Sequence, residues 1–159
     1  MQTETTGTVI IGAGIVGLAI AERLSRKRKD VVVVEQHDGF GRETSSRNSQ
    51  VVHAGLYYPE NTNKTRFCVA GNALMYEFCE RHGIDHRKTG KLVPGIDQDE
   101  VAVVHERLRQ GTANGVTGLR LLTKKEIADY DSDLSCAESL LSPTTGIIDA
   151  HSVMGRLER

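Results

Sequence analysis

The sequence predicts an α/β fold, and three observations near its N-terminus support this class. An apolar run at residues 9–11 has the composition of a buried parallel strand. Gly12, Gly14 and Gly17 follow at GxGxxG spacing and lead into a helical pattern. A second apolar run then ends in the acid Glu35. This order of strand, helix, strand and acid predicts a Rossmann-like βαβ unit that binds a dinucleotide.

Each glycine of this fingerprint has a mechanical role. Gly12 permits the tight turn from strand to helix, Gly14 lets the backbone approach a pyrophosphate, and Gly17 lets the helix pack closely on the sheet. The first helical turn, which includes Ile15 and Val16, offers N–H groups and the positive end of the helix dipole to phosphates. The acid after the second strand can accept hydrogen bonds from a ribose hydroxyl. The alternative is a glycine-rich turn in an ordinary βα unit.

Composition and charge narrow the class of protein. The chain has 159 residues, 38% of them hydrophobic and 26% charged, which is typical of one globular domain. The formal net charge of −1 gives no general reason to expect a nucleic-acid partner. The three cysteines have no paired metal-ligand spacing, so no metal site is predicted.

The sequence contains no recognisable targeting or membrane-spanning segment. No apolar run approaches the roughly 18 residues of a transmembrane helix. The first strand pattern begins so near the N-terminus that we expect no cleaved presequence. An odd number of cysteines without a secretory signal fits a reducing compartment. We therefore expect a cytoplasmic location, with peripheral contact at the inner face of the membrane left open.

The rest of the chain alternates between helical and extended patterns. The polar segment after the second strand predicts a loop that turns into a short helix, with Thr44, Ser45 or Ser46 as its N-cap. Helical spacing that predicts a packed helix is shown by Phe67, Gly71, Leu74, Met75, Phe78 and Cys79. The further predicted elements are a helix over 64–82 closed by Gly83, a strand over 87–96, a helix over 97–114, a strand over 119–122, a helix opened by a Thr123–Glu126 capping box, strands flanking a turn within 135–148, and a last helix capped by Asp149.

Two longer motifs carry a family resemblance. They are Thr-Ser-Ser-Arg-Asn-Ser at residues 44–49 and Val-His-Ala-Gly-Leu-Tyr-Tyr-Pro at residues 52–59. With the N-terminal fingerprint, they resemble the FAD-dependent oxidoreductases of the D-amino-acid-oxidase and glycine-oxidase type. Within that group the chain is most similar to L-2-hydroxyglutarate dehydrogenases and oxidases, and the resemblance extends to the Ser-Pro-Thr-Thr-Gly-Ile-Ile-Asp segment at residues 142–149.

The resemblance implies an incomplete fold with three parts. Family members are roughly twice this length or more, and one βαβ unit supplies too few parallel strands for a doubly wound sheet. Residues 1–84 are predicted to be the N-terminal part of an FAD-binding domain. Residues 85–148 would begin a mixed or antiparallel substrate-domain sheet, and residues 149–159 would be a truncated helix returning toward the FAD-binding domain.

The resemblance also implies FAD as the cofactor and assigns residues to it. The three fingerprint glycines would serve the pyrophosphate, Glu35 the adenosine ribose, and Gln36 the region of the adenine. The loop formed by Thr44, Ser45, Ser46, Arg47 and Asn48 would approach the ribityl chain and the isoalloxazine. For Arg47 the alternative is an ordinary surface salt bridge.

His53 is the predicted catalytic residue. Oxidation of a 2-hydroxy acid requires loss of the hydroxyl proton as the Cα hydride leaves, and an imidazole is a suitable base near neutral pH. Covalent attachment of the flavin and a structural role in the loop are the two alternatives. Tyr57, Tyr58, Lys64 and Arg66 are candidates for binding the substrate carboxylates.

The implied activity is the oxidation of L-2-hydroxyglutarate to 2-oxoglutarate by hydride transfer to flavin. The alternatives are an amino-acid or amine oxidase of the same superfamily and a truncated, non-catalytic nucleotide-binding remnant. The electron acceptor, whether oxygen, a quinone or an electron-transfer protein, is not predicted. We expect the 159-residue chain to be inactive alone.

One position departs from the family pattern. Gln50 stands where the pattern Arg-Asn-Ser-Gly has glycine. Glycine would permit a positive φ or a close approach to the flavin, and glutamine adds bulk there.

Overall fold

The computed structural model describes residues 5–159, which divide into two compact units. Unit 1 contains the described residues up to Gln50, His82–Asp85 and Asp149–Arg159. Unit 2 contains Val51–Arg81 and His86–Ile148. These two units are groups of residues that contact one another, and their bounds differ from those of the three segments predicted from the sequence. The three functional segments stay a prediction. Residues 1–4, with which the first predicted segment begins, lie outside the described residues.

Helices and strands are interspersed along the chain. Their order is β1 (Thr8–Ile11), α1 (Ile15–Ser25), β2 (Val31–Val34), a 3₁₀ helix (Thr44–Ser46), β3 (Val51–Val52), α2 (Asn63–His82), β4 (His86–Arg87), β5 (Lys91–Gly95), α3 (Gln98–Ala113), β6 (Arg120–Leu122), α4 (Lys124–Tyr130), β7 (Glu138–Ser142), β8 (Gly146–Ile148) and α5 (Ala150–Glu158). The combination of helices with parallel and antiparallel sheets confirms the predicted α/β class.

In unit 1, β1 and β2 form a two-stranded parallel sheet that α1 connects. The register pairs Ile11 with Val34, so both strands end at the same edge of the sheet. Parallel strands require such a crossover connection, and the predicted βαβ unit is therefore confirmed. Leu18 of α1 and Met154 of α5 are buried in the core of this unit.

One face of the two-stranded sheet is apolar and exposed. Side chains alternate between the two faces of a strand, and Val9 and Ile11 are 53% and 88% exposed. Val32 and Val34 lie at the matching register positions of β2 and are also exposed. The prediction of a fully buried first strand is wrong for this face, because the core packs against the opposite face, where Val33 contacts it.

Unit 2 contains two three-stranded antiparallel sheets. Their strand orders are β3-β8-β4 and β5-β7-β6, and they confirm the predicted second, antiparallel sheet. The single strand predicted over residues 87–96 is wrong, because β4 and β5 pair with different strands. The chain changes direction between them at Gly90, where φ is +72° and the N–H donates to the carbonyl of Thr145 at 2.9 Å.

The predicted caps of α4 and α5 are confirmed, and α3 has a cap at Asp97 that was not predicted. The Asp97 carboxylate accepts from the Glu100 amide at the start of α3, and Thr123 and Glu126 form the predicted capping box of α4. Asp149 accepts from two first-turn amides of α5. These caps were predictable because each depends on a side chain and amides only two or three residues apart.

Two other local predictions are wrong. The 3₁₀ helix has Glu43 at its N-cap and no side-chain cap, because Ser45 and Ser46 use their hydroxyls for other hydrogen bonds. The packed face predicted for α2 is confirmed at Cys79, which is fully buried, but is wrong at Phe67 and Leu74, which are 64% and 62% exposed. The side chains that α2 buries are Thr65, Asn72, Tyr76 and Cys79.

Candidate functional site

The glycine turn joins the end of β1 to the start of α1. Gly12 has a φ of +98°, a conformation that favours glycine, and its N–H donates to the carbonyl of Val34 at 2.7 Å. A Cβ at Gly17 would overlap the carbonyl oxygen of Gly12, so the helix approaches the strand too closely for alanine. The geometry agrees with the roles that the fingerprint assigns to these two glycines.

The first turn of α1 presents backbone amides without acceptors. Gly14 is the N-cap and provides no side-chain cap, and the Ile15 N–H donates to the Ser45 hydroxyl at 3.1 Å. Among residues 5–159, the N–H groups of Val16 and Gly17 donate to no acceptor. Amides of this kind, together with the positive end of the helix dipole, form a site for anions. The residues present therefore fit a pyrophosphate group.

Glu35 lies beside the glycine turn. Its Oε2 atom accepts from the Ala13 amide at 2.7 Å, and its Oε1 atom accepts from the amides of Gln36 and His37 at 2.8 and 3.1 Å. The hydrogen bond from Ala13 is the largest cause that lowers the pKa of Glu35 below its ordinary value of 4.5. A carboxylate has about four lone-pair positions, so Oε2 keeps one for a ribose hydroxyl. The exposed Gln36 side chain lies 3.3 Å from the His37 ring.

The polar loop of residues 44–48 contacts the glycine turn through Ser45. Its backbone is fixed by Asn48, whose amide donates to the Ser45 carbonyl at 2.8 Å. The Arg47 guanidinium lies 3.5 Å from the Glu43 carboxylate and is 73% exposed. The salt bridge that the sequence left as an alternative for Arg47 is therefore present, while a role toward flavin stays a prediction.

Gln50 adopts the conformation that the family glycine would favour. Its φ is +58°, and its amide donates to Asn48 Oδ1 at 2.7 Å. The Gln50 side-chain oxygen accepts from the Ala150 amide at 3.1 Å, at the start of α5. The left-handed conformation costs a non-glycine residue roughly 1–2 kcal/mol, and the hydrogen bond to the first amide of α5 offsets part of that cost.

His53 lies in unit 2, in the segment of residues 53–58 that we call the 53–58 loop. The His53 carbonyl accepts from the Asn72 side-chain amide at 3.2 Å and from the Cys68 thiol at 3.4 Å. Burial raises the pKa of Cys68, which keeps the sulfur protonated as a donor. The His53 side chain is exposed, and within residues 5–159 its imidazole has no hydrogen-bond partner. The backbone is thus held while the ring is available for chemistry.

Two amide side chains hold the rest of the 53–58 loop. Asn114 Nδ2 donates to the carbonyls of Gly55 and Tyr58 at 3.0 and 2.9 Å, and Gln110 Nε2 donates to Tyr58 at 3.1 Å. Sequence reasoning gave these residues no role. The sequence feature that could have indicated them is an amide side chain on, or just after, a packed helix. A buried polar group there needs a hydrogen-bond partner.

Two of the residues predicted to bind substrate carboxylates, Lys64 and Arg66, each contact an aromatic ring. Lys64 Nζ lies 4.3 Å from the centroid of the Tyr58 ring, and the Arg66 guanidinium lies 4.6 Å from that of Phe67. Both are cation–π contacts in unit 2. Tyr57 has two cationic neighbours, Lys91 and Arg107, that the sequence did not indicate.

Fold and site together define a flavoprotein class. The chain belongs to the family described as DAO, FAD dependent oxidoreductase, whose model matches residues 8–159. This confirms the predicted resemblance, and FAD is the cofactor on which this family depends.

The similar curated proteins are L-2-hydroxyglutarate dehydrogenases. The mitochondrial protein of Arabidopsis thaliana is 45% identical over 151 residues, which are 95% of this chain and 31% of that protein. The human mitochondrial protein is 34% identical over 154 residues, which are 96% of this chain and 33% of the human protein. The chain therefore spans about a third of the length of these relatives.

Solved structures of flavoproteins share the fold. The L-alpha-glycerophosphate oxidase of Mycoplasma pneumoniae with FAD bound has a TM-score of 0.88 at 23% identity, over 98% of this chain and 42% of that one. Glycine oxidase from Geobacillus kaustophilus has a TM-score of 0.80 at 22% identity, over 98% of this chain and 44% of that one. This chain matches less than half of each structure, which confirms the predicted incomplete fold. In the part of the chain described, no helix is both long and apolar enough to cross a membrane.

Proposed function

We propose that this chain is the FAD-binding N-terminal part of an oxidoreductase that oxidises L-2-hydroxyglutarate to 2-oxoglutarate. The observation that carries the proposal is the pair of first-turn amides without acceptors at the glycine turn, beside a carboxylate with a spare lone pair. Family membership supports FAD as the ligand, and the names of the curated relatives support the substrate.

The cofactor contacts follow from this chemistry. The amides of Gly14, Val16 and Gly17 would bind the pyrophosphate, and the remaining lone pair of Glu35 would accept a ribose hydroxyl. Gln36 would contribute near the adenine. Polar groups of residues 44–48 would serve the ribityl chain and the isoalloxazine. When bound, FAD supplies the acceptor for the hydride that leaves the substrate Cα.

The proposed role of His53 is that of general base. A nitrogen of its imidazole takes the proton of the 2-hydroxyl group while the Cα hydrogen leaves as hydride, and the C–O bond becomes a carbonyl. The substrate loses two electrons and two hydrogens in this step. The exposed ring and the fixed backbone of His53 support this role over a structural one, and covalent attachment of the cofactor remains the rival role.

The location of the whole protein stays a prediction. A cytoplasmic location, with or without peripheral membrane contact, rests on the sequence, whereas the curated relatives are named as mitochondrial.

Anaerobic reduction of the FAD-loaded full-length protein tests the substrate. We expect L-2-hydroxyglutarate to bleach the visible absorbance of the flavin, and glycine and L-amino acids to leave it unchanged. Bleaching by amino acids alone would favour the amino-acid or amine oxidase alternative. The 159-residue chain alone is expected to show little or no turnover, and substrate-dependent dye reduction by it would contradict this expectation.

A further inference from the structure

Two cationic side chains flank the exposed ring of Tyr57 in unit 2. Lys91 Nζ lies 4.5 Å from the ring centroid, and the Arg107 guanidinium carbon lies 5.9 Å from it. Tyr57 is 39% exposed, so part of the ring and its surroundings faces solvent. The three residues come from the 53–58 loop, from β5 and from α3, so the fold rather than local sequence brings them together.

The arrangement is held by hydrogen bonds on its α3 side. One guanidinium nitrogen of Arg107 donates to Gln110 Oε1 at 2.7 Å, and Gln110 Nε2 donates to the carbonyl of Tyr58 at 3.1 Å. Gln110 therefore fixes the Arg107 guanidinium and the 53–58 loop at the same time. A guanidinium held in this way loses less side-chain entropy when it binds an anion.

Neither cation has a carboxylate partner. Among residues 5–159, no Asp or Glu oxygen lies within 4.0 Å of the charged nitrogens of Lys91 or Arg107, although several arginines elsewhere form such ion pairs. The chain carries 21 acidic against 20 basic residues, so acids are not scarce. Because no carboxylate neutralises either charge, an anion that contacts both groups would be attracted by each of them.

The cation Lys91 and the predicted base His53 line the same cavity. Lys91 and Tyr57 line a small cavity together with His53 and Thr145. The cavity has a volume of about 10 Å³, room for one water molecule at most. A larger anion would therefore lie at its mouth, on the exposed side of Tyr57, close to the segment that carries His53.

We propose that Lys91, Arg107 and the Tyr57 hydroxyl form a carboxylate-binding subsite that selects dicarboxylic 2-hydroxy acids. The inference rests on the proposed function, in which the subsite takes the substrate carboxylate remote from the hydroxyl group. A guanidinium, an ammonium and a phenol O–H together provide charge and several donors for one carboxylate. A monocarboxylate would lose this contact.

Glutarate is a suitable probe because it has both carboxylates and no hydroxyl group to oxidise. Its binding to the FAD-loaded protein would be measured by calorimetry, with butyrate as the monocarboxylate comparison. We expect Lys91→Gln and Arg107→Gln each to weaken glutarate binding about tenfold and to change butyrate binding little. Lys125→Gln is the matched control and should change neither, since Lys125 is an exposed lysine in α4 and is not part of the subsite.

Kinetics and charge-conserving variants separate a binding role from a structural one. Lys91→Arg should keep most glutarate affinity, and in the full-length protein Lys91→Gln should raise KM for L-2-hydroxyglutarate with little change in kcat. If Lys91→Gln does not fold, the test uses the unmodified protein instead. Its lysines are acetylated with an N-hydroxysuccinimide ester, and the rate of labelling at Lys91 is compared with and without glutarate. Glutarate should slow labelling of Lys91 and leave that of Lys125 unchanged.

The outcomes distinguish this inference from the proposed function. Unchanged glutarate affinity in the Lys91→Gln, Arg107→Gln double variant, or equal labelling of Lys91 with and without glutarate, would overturn the subsite even if L-2-hydroxyglutarate bleaches the flavin. Loss of glutarate binding in the double variant would support the subsite even if L-2-hydroxyglutarate fails to bleach the flavin, in which case the proposed function fails and a different dicarboxylate is the substrate.

Discussion

Replacing Asn72 with alanine removes the side chain that holds the backbone of His53. Asn72 is 8% exposed, and its Nδ2 atom donates to the carbonyls of His53 and Thr144 at 3.2 and 2.9 Å. Each lost hydrogen bond costs about 0.5–1.5 kcal/mol. Both carbonyls keep a second donor, since Cys68 bonds to His53 and Tyr76 bonds to Thr144 at 3.1 Å. The full penalty for unsatisfied carbonyls is therefore avoided, and we expect a total loss of about 1–3 kcal/mol.

The assay is thermal and urea unfolding followed by far-ultraviolet circular dichroism, because the chain has no tryptophan. A loss of this size lowers the unfolding midpoint by roughly 2–12 °C for a chain of this length. Asn72→Asp should destabilise more than Asn72→Ala, because it directs a carboxylate at two carbonyl oxygens. Asn63→Ala is the control, since Asn63 is exposed at the start of α2, and should stay within about 0.5 kcal/mol. The reasoning is refuted if Asn72→Asp is as stable as the unmodified chain.

Two further predictions concern unit 1. Gln50→Gly should be about 0.5–1 kcal/mol more stable than Gln50→Ala in urea unfolding, because both lose the hydrogen bond to α5 and only alanine keeps the strain of a positive φ; equal stability would argue against strain at this position. Glu35 has a lowered pKa, so its contribution to stability is present above pH 4.5, the ordinary value, and is lost as the pH falls through the lower folded value. Glu35→Gln should therefore reduce the acid dependence of the thermal midpoint below pH 4.5, and an unchanged dependence would contradict the assignment.

Several predictions that depend on neighbouring residues agree with the structure, although the N-cap predicted within residues 44–46 does not. The glycine spacing specified the turn between β1 and α1, because the helix lies too close to the strand for a side chain at Gly17. Thr123 and Asp149 specified helix starts, because their partners lie within the next turn. In these cases the local hydrogen-bonding requirement is sufficient to fix the structure.

Predictions that depend on distant residues were less reliable. In α2 the apolar period pointed to Cys79, which is buried, but also to Phe67 and Leu74, which are exposed. It missed Asn72 and Tyr76, which are buried. Asn72 is buried because carbonyls 19 and 72 residues away in the sequence require donors. No helical period contains that information. The cationic neighbours of Tyr57 were missed for the same reason, since Lys91 and Arg107 lie on separate elements.

Binding of FAD to the 159-residue chain tests the role of the glycine turn most directly. The comparison is between the unmodified chain, Gly17→Ala and Gly71→Ala, with binding measured by the change in flavin fluorescence. A Cβ at Gly17 would overlap the Gly12 carbonyl oxygen, whereas a Cβ at Gly71 in α2 has open space around it. We predict that the unmodified chain and Gly71→Ala bind FAD and that Gly17→Ala binds it at least tenfold more weakly. Equal binding by all three, or no binding by the unmodified chain, would contradict a pyrophosphate site at this turn.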